Sequence, residues 1–159
     1  MTVCWANWNN VKEDNLLWVL LFFGGVFGGI AVLLSAWGAH GLEDLFISSP
    51  RDRFSFNYAT NFQLFHSLFL ISLVFFMISS GIRSILLLLS SLLLILGILL
   101  FSFPIYARII WGYSELSWLT PIGGICFCVA WSLLPVLYIS KIITIRKNRS
   151  KLELWTNYF

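Results

Sequence analysis

Four long apolar segments, separated by short polar stretches, restrict the fold of this 159-residue chain more than any other feature. They cover approximately residues 16–37, 58–79, 84–103 and 121–143. Each is long enough for a membrane-spanning helix, which needs roughly 20 apolar residues. Because 59% of the chain is hydrophobic and only 11% is charged, it cannot form the polar shell of a soluble domain of this size. We therefore predict an all-α integral membrane protein, a bundle of four transmembrane helices.

The polar stretches define the rest of the predicted organisation. Residues 1–15 are expected to form an N-terminal interfacial segment, 16–143 the transmembrane domain, and 144–159 a basic and aromatic tail. The polar connection from Glu43 to Asn57 is expected to be a loop or a short interfacial helix. It is the longest connection between two spans.

Local signals also predict where the last two spans end and begin. The third span is expected to end at Pro104, and its leucine-rich surface is expected to face lipid. The fourth is expected to begin with Thr120 as the N-cap residue and Pro121 at the first helical position, where a missing backbone N–H costs nothing.

The positive residues predict how the four spans are oriented. Seven of the lysine and arginine residues fall on the side that holds both chain termini and the turn between the second and third spans. These seven are Lys12, Arg83, Lys141, Arg146, Lys147, Arg149 and Lys151. Arg51, Arg53 and Arg108 fall on the opposite side. Because positive residues accumulate on the cytoplasmic side, both termini are predicted to face the cytoplasm, or the matrix if the membrane is mitochondrial.

The basic tail is interpreted as a determinant of this topology that can also attract anionic lipid head groups. Its candidate contacts are Lys141, Arg146, Lys147, Arg149 and Lys151. Each such charge contributes about 1 kcal/mol near an anionic membrane surface. The net charge of +3 is too small and too localised to indicate a nucleic-acid partner.

A continuous line of small residues follows one face of the first span. Its members are Gly24, Gly28, Ala31, Ser35 and Gly38, spaced alternately by four and three residues. Small residues let the backbones of membrane helices approach closely, so this line, here called the seam, predicts a helix-docking surface. A shorter counterpart in the fourth span runs through Gly123, Cys126 and Ala130.

The second span carries polar residues at a depth where they should face the interior of the bundle. His66 lies roughly 12 Å from the start of the span, at 1.5 Å per residue. On the same face lie Thr60, Gln63 and Ser67, and His40 ends the first span on the same side of the membrane. An intramembrane histidine can relay protons or hold a ligand. We favour the simpler interpretation, in which hydrogen bonds from these groups fasten the helices at about 0.6–2 kcal/mol each.

Other chemistry is not indicated. Two histidines without an intramembrane carboxylate are a poor metal site, and no set of nucleophile, base and orienting group is apparent. The three cysteines predict neither a disulfide framework nor a zinc site. We therefore predict no catalytic residues, no metal and no cofactor.

Several motifs together resemble those of a known family. They are SAWGAHGL at residues 35–42, FQLFH at 62–66, GILLFS at 97–102 and TPIGG at 120–124, in order and with matching spacing. The most specific positions are Gly38, Ala39, His40, Gly41, Thr120, Pro121, Gly123 and Gly124. The chain resembles the YgdD-like family of small membrane proteins of unknown function, which includes transmembrane protein 256. The resemblance implies a four-helix protein of the bacterial inner membrane or the mitochondrial inner membrane, with no established activity.

Three functions remain as hypotheses. The preferred one is a non-enzymatic accessory or structural subunit that packs against other membrane proteins or itself, and the seam is its main support. The alternative is an oligomeric transporter or channel element for a small solute or protons, which uses His66, Gln63 and His40. An intramembrane or lipid-modifying enzyme ranks last because no acid–base pair is visible. If helices of this chain fill the seam, the first hypothesis loses that support.

Overall fold

The computed structural model describes the backbone of residues 15–156 and the side chains of residues 15–143. Its helices are α1 (Asn15–His40), α2 (Glu43–Ser48), α3 (Pro50–Ser80), α4 (Ile85–Trp111) and α5 (Leu119–Thr156). Four of them, all but α2, are long and apolar enough to cross a membrane. The expected all-α fold with four spans is therefore confirmed.

The predicted N-terminal segment and basic tail lie mostly outside the part of the chain that the structure describes. Apart from Asn15, the N-terminal interfacial segment lies outside the described residues, and so does Lys12. The same holds for the side chains of Arg146, Lys147, Arg149 and Lys151, although their backbone belongs to α5. Lys141, the first of the expected head-group contacts, is exposed.

The second span begins earlier than its hydrophobicity indicates. The helix α3 starts at Pro50 rather than near residue 58, and the short α2 occupies most of the remaining connection. Proline suits a first helical position because its missing N–H would have no intrahelical partner. Asp52 then places a carboxylate in the first turn, where the helix dipole favours negative charge.

The third span does not end at Pro104, contrary to expectation. The helix α4 continues to Trp111 and ends at Gly112, whose φ of 74° is the left-handed conformation common at helix ends. The residues after Pro104 include the buried Tyr106 and Ile109. Packing of these roughly two extra turns offsets the local cost of the proline, because neighbouring helices and small backbone adjustments can satisfy the freed carbonyl.

The fourth span begins slightly earlier than expected. Thr120 is not the N-cap, since α5 begins at Leu119 and Thr120 already lies within its first turn. The candidate span within this helix is Leu119–Ile143, and the helical backbone continues to Thr156.

The spans pack in chain order, with α3 and α4 in the middle. The helix α1 packs on α3, α3 on α4 and α4 on α5, while α1 and α5 make no extended contact within the described residues. The leucine-rich surface of the third span was expected to face lipid, but part of it is buried. Leu87, Leu94 and Ile98 are buried in the main core, because α4 is covered on both sides by α3 and α5.

A second buried cluster closes one end of the bundle. It lies where α1 ends, α3 begins and α4 ends, which we call the α2 end. Phe56 is fully buried there between the rings of Phe46 on α2 and Tyr106 on α4. The short α2 is thus anchored to the spans by an aromatic side chain.

Candidate functional site

The side chain of Gln63 joins three of the four spans. Its Nε2 donates a hydrogen bond to the backbone carbonyl of Phe27 on α1 at 2.8 Å. Its Oε1 accepts one from the hydroxyl of Tyr106 on α4 at 3.0 Å. Ser67 donates to the backbone carbonyl of Gln63 at 2.6 Å. All three side chains are buried, so this polar group is enclosed and its amide is bonded at both ends.

His66 lies about one turn beyond Gln63 on α3, and its imidazole contacts α5. Its Nδ1 lies 2.7 Å from the carbonyl oxygen of Phe62. Because a carbonyl can only accept, Nδ1 carries the proton and Nε2 is free to accept, which it does from the indole N–H of Trp131 at 3.4 Å. The ring of Phe127 stacks on the imidazole at 3.6 Å between centroids. This geometry fits a neutral imidazole with both nitrogens engaged.

The polar residues that the sequence places on one side of the membrane are therefore divided between separate groups. Gln63 and Ser67 belong to one group, and His66 to another that faces a different helix. Among the described residues, Thr60 bonds to the carbonyl of Asn57 in its own helix. His40 is exposed at the end of α1, and no hydrogen bond joins it to the buried groups among the described residues. These residues do not converge on one site.

Two serine hydroxyls provide further links between spans. Ser102 on α4 donates to the backbone carbonyl of Ala59 on α3 at 2.9 Å. Ser90 on α4 donates to the carbonyl of Ala130 on α5, also at 2.9 Å. Serine in an apolar run is a weak signal, since its usual bond is to its own helix, so these links could not be assigned from sequence.

The seam of the first span is occupied by this chain itself. A Cβ atom on Gly24 would lie 2.7 Å from Cγ1 of Ile71, and one on Gly38 would lie 2.6 Å from the ring of Phe56. Gly28 faces Ser67 of the same helix α3, and Ala31 is buried, whereas Ser35 is exposed. The seam is thus a docking surface for α3.

The family motifs mark close contacts between helices. In TPIGG, a Cβ on Gly123 would lie 2.7 Å from the carbonyl carbon of Leu100, so the backbones of α4 and α5 meet there. A Cβ on Gly124 would meet nothing within 4 Å. In GAHG, Gly38 meets α3 and Gly41 lies against the indole of Trp37, whereas Ala39 is exposed.

An ion pair that the sequence did not suggest lies at the α2 end. Arg108 on α4 contacts the carboxylate of Asp52 on α3 at 2.7 Å, and the hydroxyl of Ser49 donates to the other carboxylate oxygen at 2.7 Å. Both charged side chains are about a quarter to a third exposed. The pair borders an open recess of about 660 Å³, into which Thr120 and Pro121 of the family motif also project.

An apolar crevice lies on the opposite side of α4. It has a volume of about 230 Å³ and lies between α1 and α4, beside the side chain of Gln63. Ile30 and Leu34 form one wall, and Ile98, Leu99 and Phe103 form the other. Gln63 and Tyr106 are its polar members, and they are bonded to each other.

The fold and these contacts define a small four-span integral membrane protein whose buried polar side chains join its own helices. The chain belongs to the family described as protein of unknown function (DUF423), whose family model matches residues 34–124. That match includes both the GAHG and the TPIGG motifs. It agrees with the resemblance found in the sequence, to a family of small membrane proteins without a known function.

The relatives are bacterial. A UPF0382 membrane protein of Staphylococcus epidermidis is 36% identical over 118 residues, which cover 74% of this chain and 93% of the relative. The UPF0382 membrane protein YwdK of Bacillus subtilis is 32% identical over 121 residues, which cover 74% and 94%. No solved structure matches the chain. Four apolar helices and these relatives fit an integral protein of the inner membrane.

Proposed function

We propose that this protein is a non-catalytic accessory or structural subunit that associates within the membrane with other membrane proteins or with copies of itself. One observation carries the proposal: within the described part of the chain, α1 is packed on one side only. The flank of α1 that carries Gly25, Gly29 and Ala36 is exposed, and a Cβ on either glycine would meet nothing within 4 Å. We call these three residues the open flank.

The seam does not support this proposal, because α3 of the same chain covers it. The open flank supports it instead. Its two glycines are four residues apart, which is the spacing that lets two membrane helices approach closely. Glycine in a lipid-facing helix is otherwise unfavourable, since alanine is the better helix former by about 1 kcal/mol. The flank therefore favours a helix of another subunit over lipid.

The absence of a catalytic role is supported by how the buried polar groups are used. The side chains of Gln63, His66 and Ser102 bond to neighbouring spans of the same chain, so their polar groups serve to link helices. The transporter alternative has less support, because Gln63 and His66 face different helices and His40 is exposed. A relay would need titratable groups in contact along one path.

The proposal is tested with a Gly25→Leu/Gly29→Leu double variant, examined by native electrophoresis after extraction in mild detergent and by crosslinking in intact membranes. The wild type should migrate as a stoichiometric complex, and the variant should fall to the monomer mass with an unchanged melting midpoint. Val19→Leu, which adds bulk at an exposed site away from the flank, is the control and should leave the complex intact.

Two results would contradict the proposal. One is a wild type that is monomeric in both detergent and membrane crosslinking. The other is a complex that survives the double variant. Gly24→Leu provides a comparison for misfolding, because its side chain would meet Ile71 and should lower the melting midpoint.

A further inference from the structure

We propose that the crevice between α1 and α4 binds one acyl chain of a phospholipid from the membrane leaflet at the α2 end. This inference does not depend on the proposed function, since it concerns a different face of α1. It is argued from the lining, the opening and the length of the crevice.

The lining accepts hydrocarbon and little else. The two polar residues at its wall are Gln63 and Tyr106, and their side chains are already bonded to each other and to the carbonyl of Phe27. These bonds engage the amide and the hydroxyl, and the rest of the lining is apolar apart from the indole N–H of Trp111 at the mouth. Apolar cavities of about 150 Å³ are known to stay dry and to bind small hydrocarbons, and the crevice, at about 230 Å³, is larger.

The crevice opens sideways, toward the lipid. Its mouth is formed by Ile30 on α1 and by Leu99, Phe103 and Trp111 on α4, which are between 42% and 60% exposed. These residues lie on helices apolar enough to span a membrane, so the medium at the mouth is the hydrocarbon of the bilayer. A lipid chain can therefore enter without crossing water or a polar barrier.

The length of the crevice matches a single leaflet. Along α4 the lining extends from Ile98, near the middle of the helix, to Trp111 at its end. At 1.5 Å per residue that distance is about 20 Å. Half of a hydrocarbon core is about 15 Å thick, and tryptophan favours the membrane interface. A chain that enters near Trp111 would thus reach the bilayer midplane beside Ile98.

The test uses nanodiscs of phosphatidylcholine that carries a diazirine halfway along one acyl chain. After irradiation, labelled residues are identified by peptide mass spectrometry. We expect adducts concentrated on residues 27–34 and 98–111. Leu99→Trp and Ile30→Trp fill the crevice from opposite walls, and each should abolish those adducts. Leu92→Trp, at an exposed position of α4 outside the crevice, should leave them unchanged.

The outcomes separate this idea from ordinary contact with bulk lipid. Adducts spread evenly over all exposed apolar residues, or adducts that survive both filling variants, would overturn it. A wild type whose crevice is shielded from the probe by a second polypeptide would also overturn it. The melting midpoint of each variant is measured to confirm that the variant folds. If one variant fails to fold, the variant on the opposite wall provides the test.

Discussion

The substitution Gly123→Ala is expected to destabilise the protein far more than Gly124→Ala, although the two glycines are adjacent in the same motif. A Cβ on Gly123 would lie 2.7 Å from the carbonyl carbon of Leu100 and 2.8 Å from Cβ of Phe101. Carbon atoms are most favourable at about 3.5–4.0 Å, so α4 and α5 would have to separate by about 1 Å. These neighbours include backbone, which cannot rotate away as a flexible side chain can.

The expected magnitude follows from two effects. Overpacking of a tight contact costs about 1–3 kcal/mol. Separation of the helices would also strain the 2.9 Å bond from the Ser90 hydroxyl to the carbonyl of Ala130, which joins the same two helices about two turns further along α5; such bonds contribute about 0.6 kcal/mol in membranes. We expect the free energy of unfolding to fall by about 2–3 kcal/mol for Gly123→Ala. For Gly124→Ala it should change by at most about 1 kcal/mol, since the new methyl group meets nothing.

The free energy of unfolding can be measured by reversible titration of the purified protein from mild detergent into sodium dodecyl sulfate, followed by helical circular dichroism and tryptophan fluorescence. Equal transition midpoints for the two variants would refute the reasoning, because the sequence context of the two positions is the same and only their orientation differs. A large loss for Gly124→Ala would refute it as well.

Further substitutions test three single contacts. Tyr106→Phe should lower the free energy of unfolding by about 0.6–2 kcal/mol, because it leaves Oε1 of Gln63 without its donor; the same titration checks it, and an unchanged midpoint would contradict the bond. Ser102→Ala should cost a similar amount in that assay through loss of its bond to the neighbouring span, and a stabilised variant would argue against that bond. Breaking the ion pair by Arg108→Met or Asp52→Asn should cost at most about 1 kcal/mol, because both groups are partly exposed; a double-mutant cycle at low and high salt measures it, and a coupling that grows with salt would be inconsistent with a charge pair.

The sequence predicted the number of spans but misplaced several of their ends. Hydrophobicity reports which residues lie in hydrocarbon, whereas a helix can continue into the interface wherever its backbone bonds remain satisfied. That is why α3 begins at Pro50 and α4 passes Pro104. The extra turns are held by contacts such as Phe56 with Tyr106, between residues distant in sequence.

The site was predicted in part. Polarity within an apolar span identified Gln63 and His66 as bundle-facing residues, but not their partners. Tyr106 lies 43 residues from Gln63 in the sequence, and Trp131 lies 65 residues from His66. Both aromatic residues occupy positions that suit a membrane interface or lipid equally well. Only the arrangement of the helices shows that they are hydrogen-bond donors.

Composition alone determined that this protein lies in a lipid bilayer, and the number of long apolar runs determined how many times it crosses the membrane. Those properties are sums over single residues, so they can be predicted without a structure. The choice of which glycines are covered was decided by the tertiary structure. Gly24 and Gly25, like Gly123 and Gly124, fit the same spacing rules, yet one of each pair meets a neighbouring helix and the other meets nothing. Adjacent residues point about 100° apart on a helix, and the rotation that selects between them is set by the packing of all the spans together.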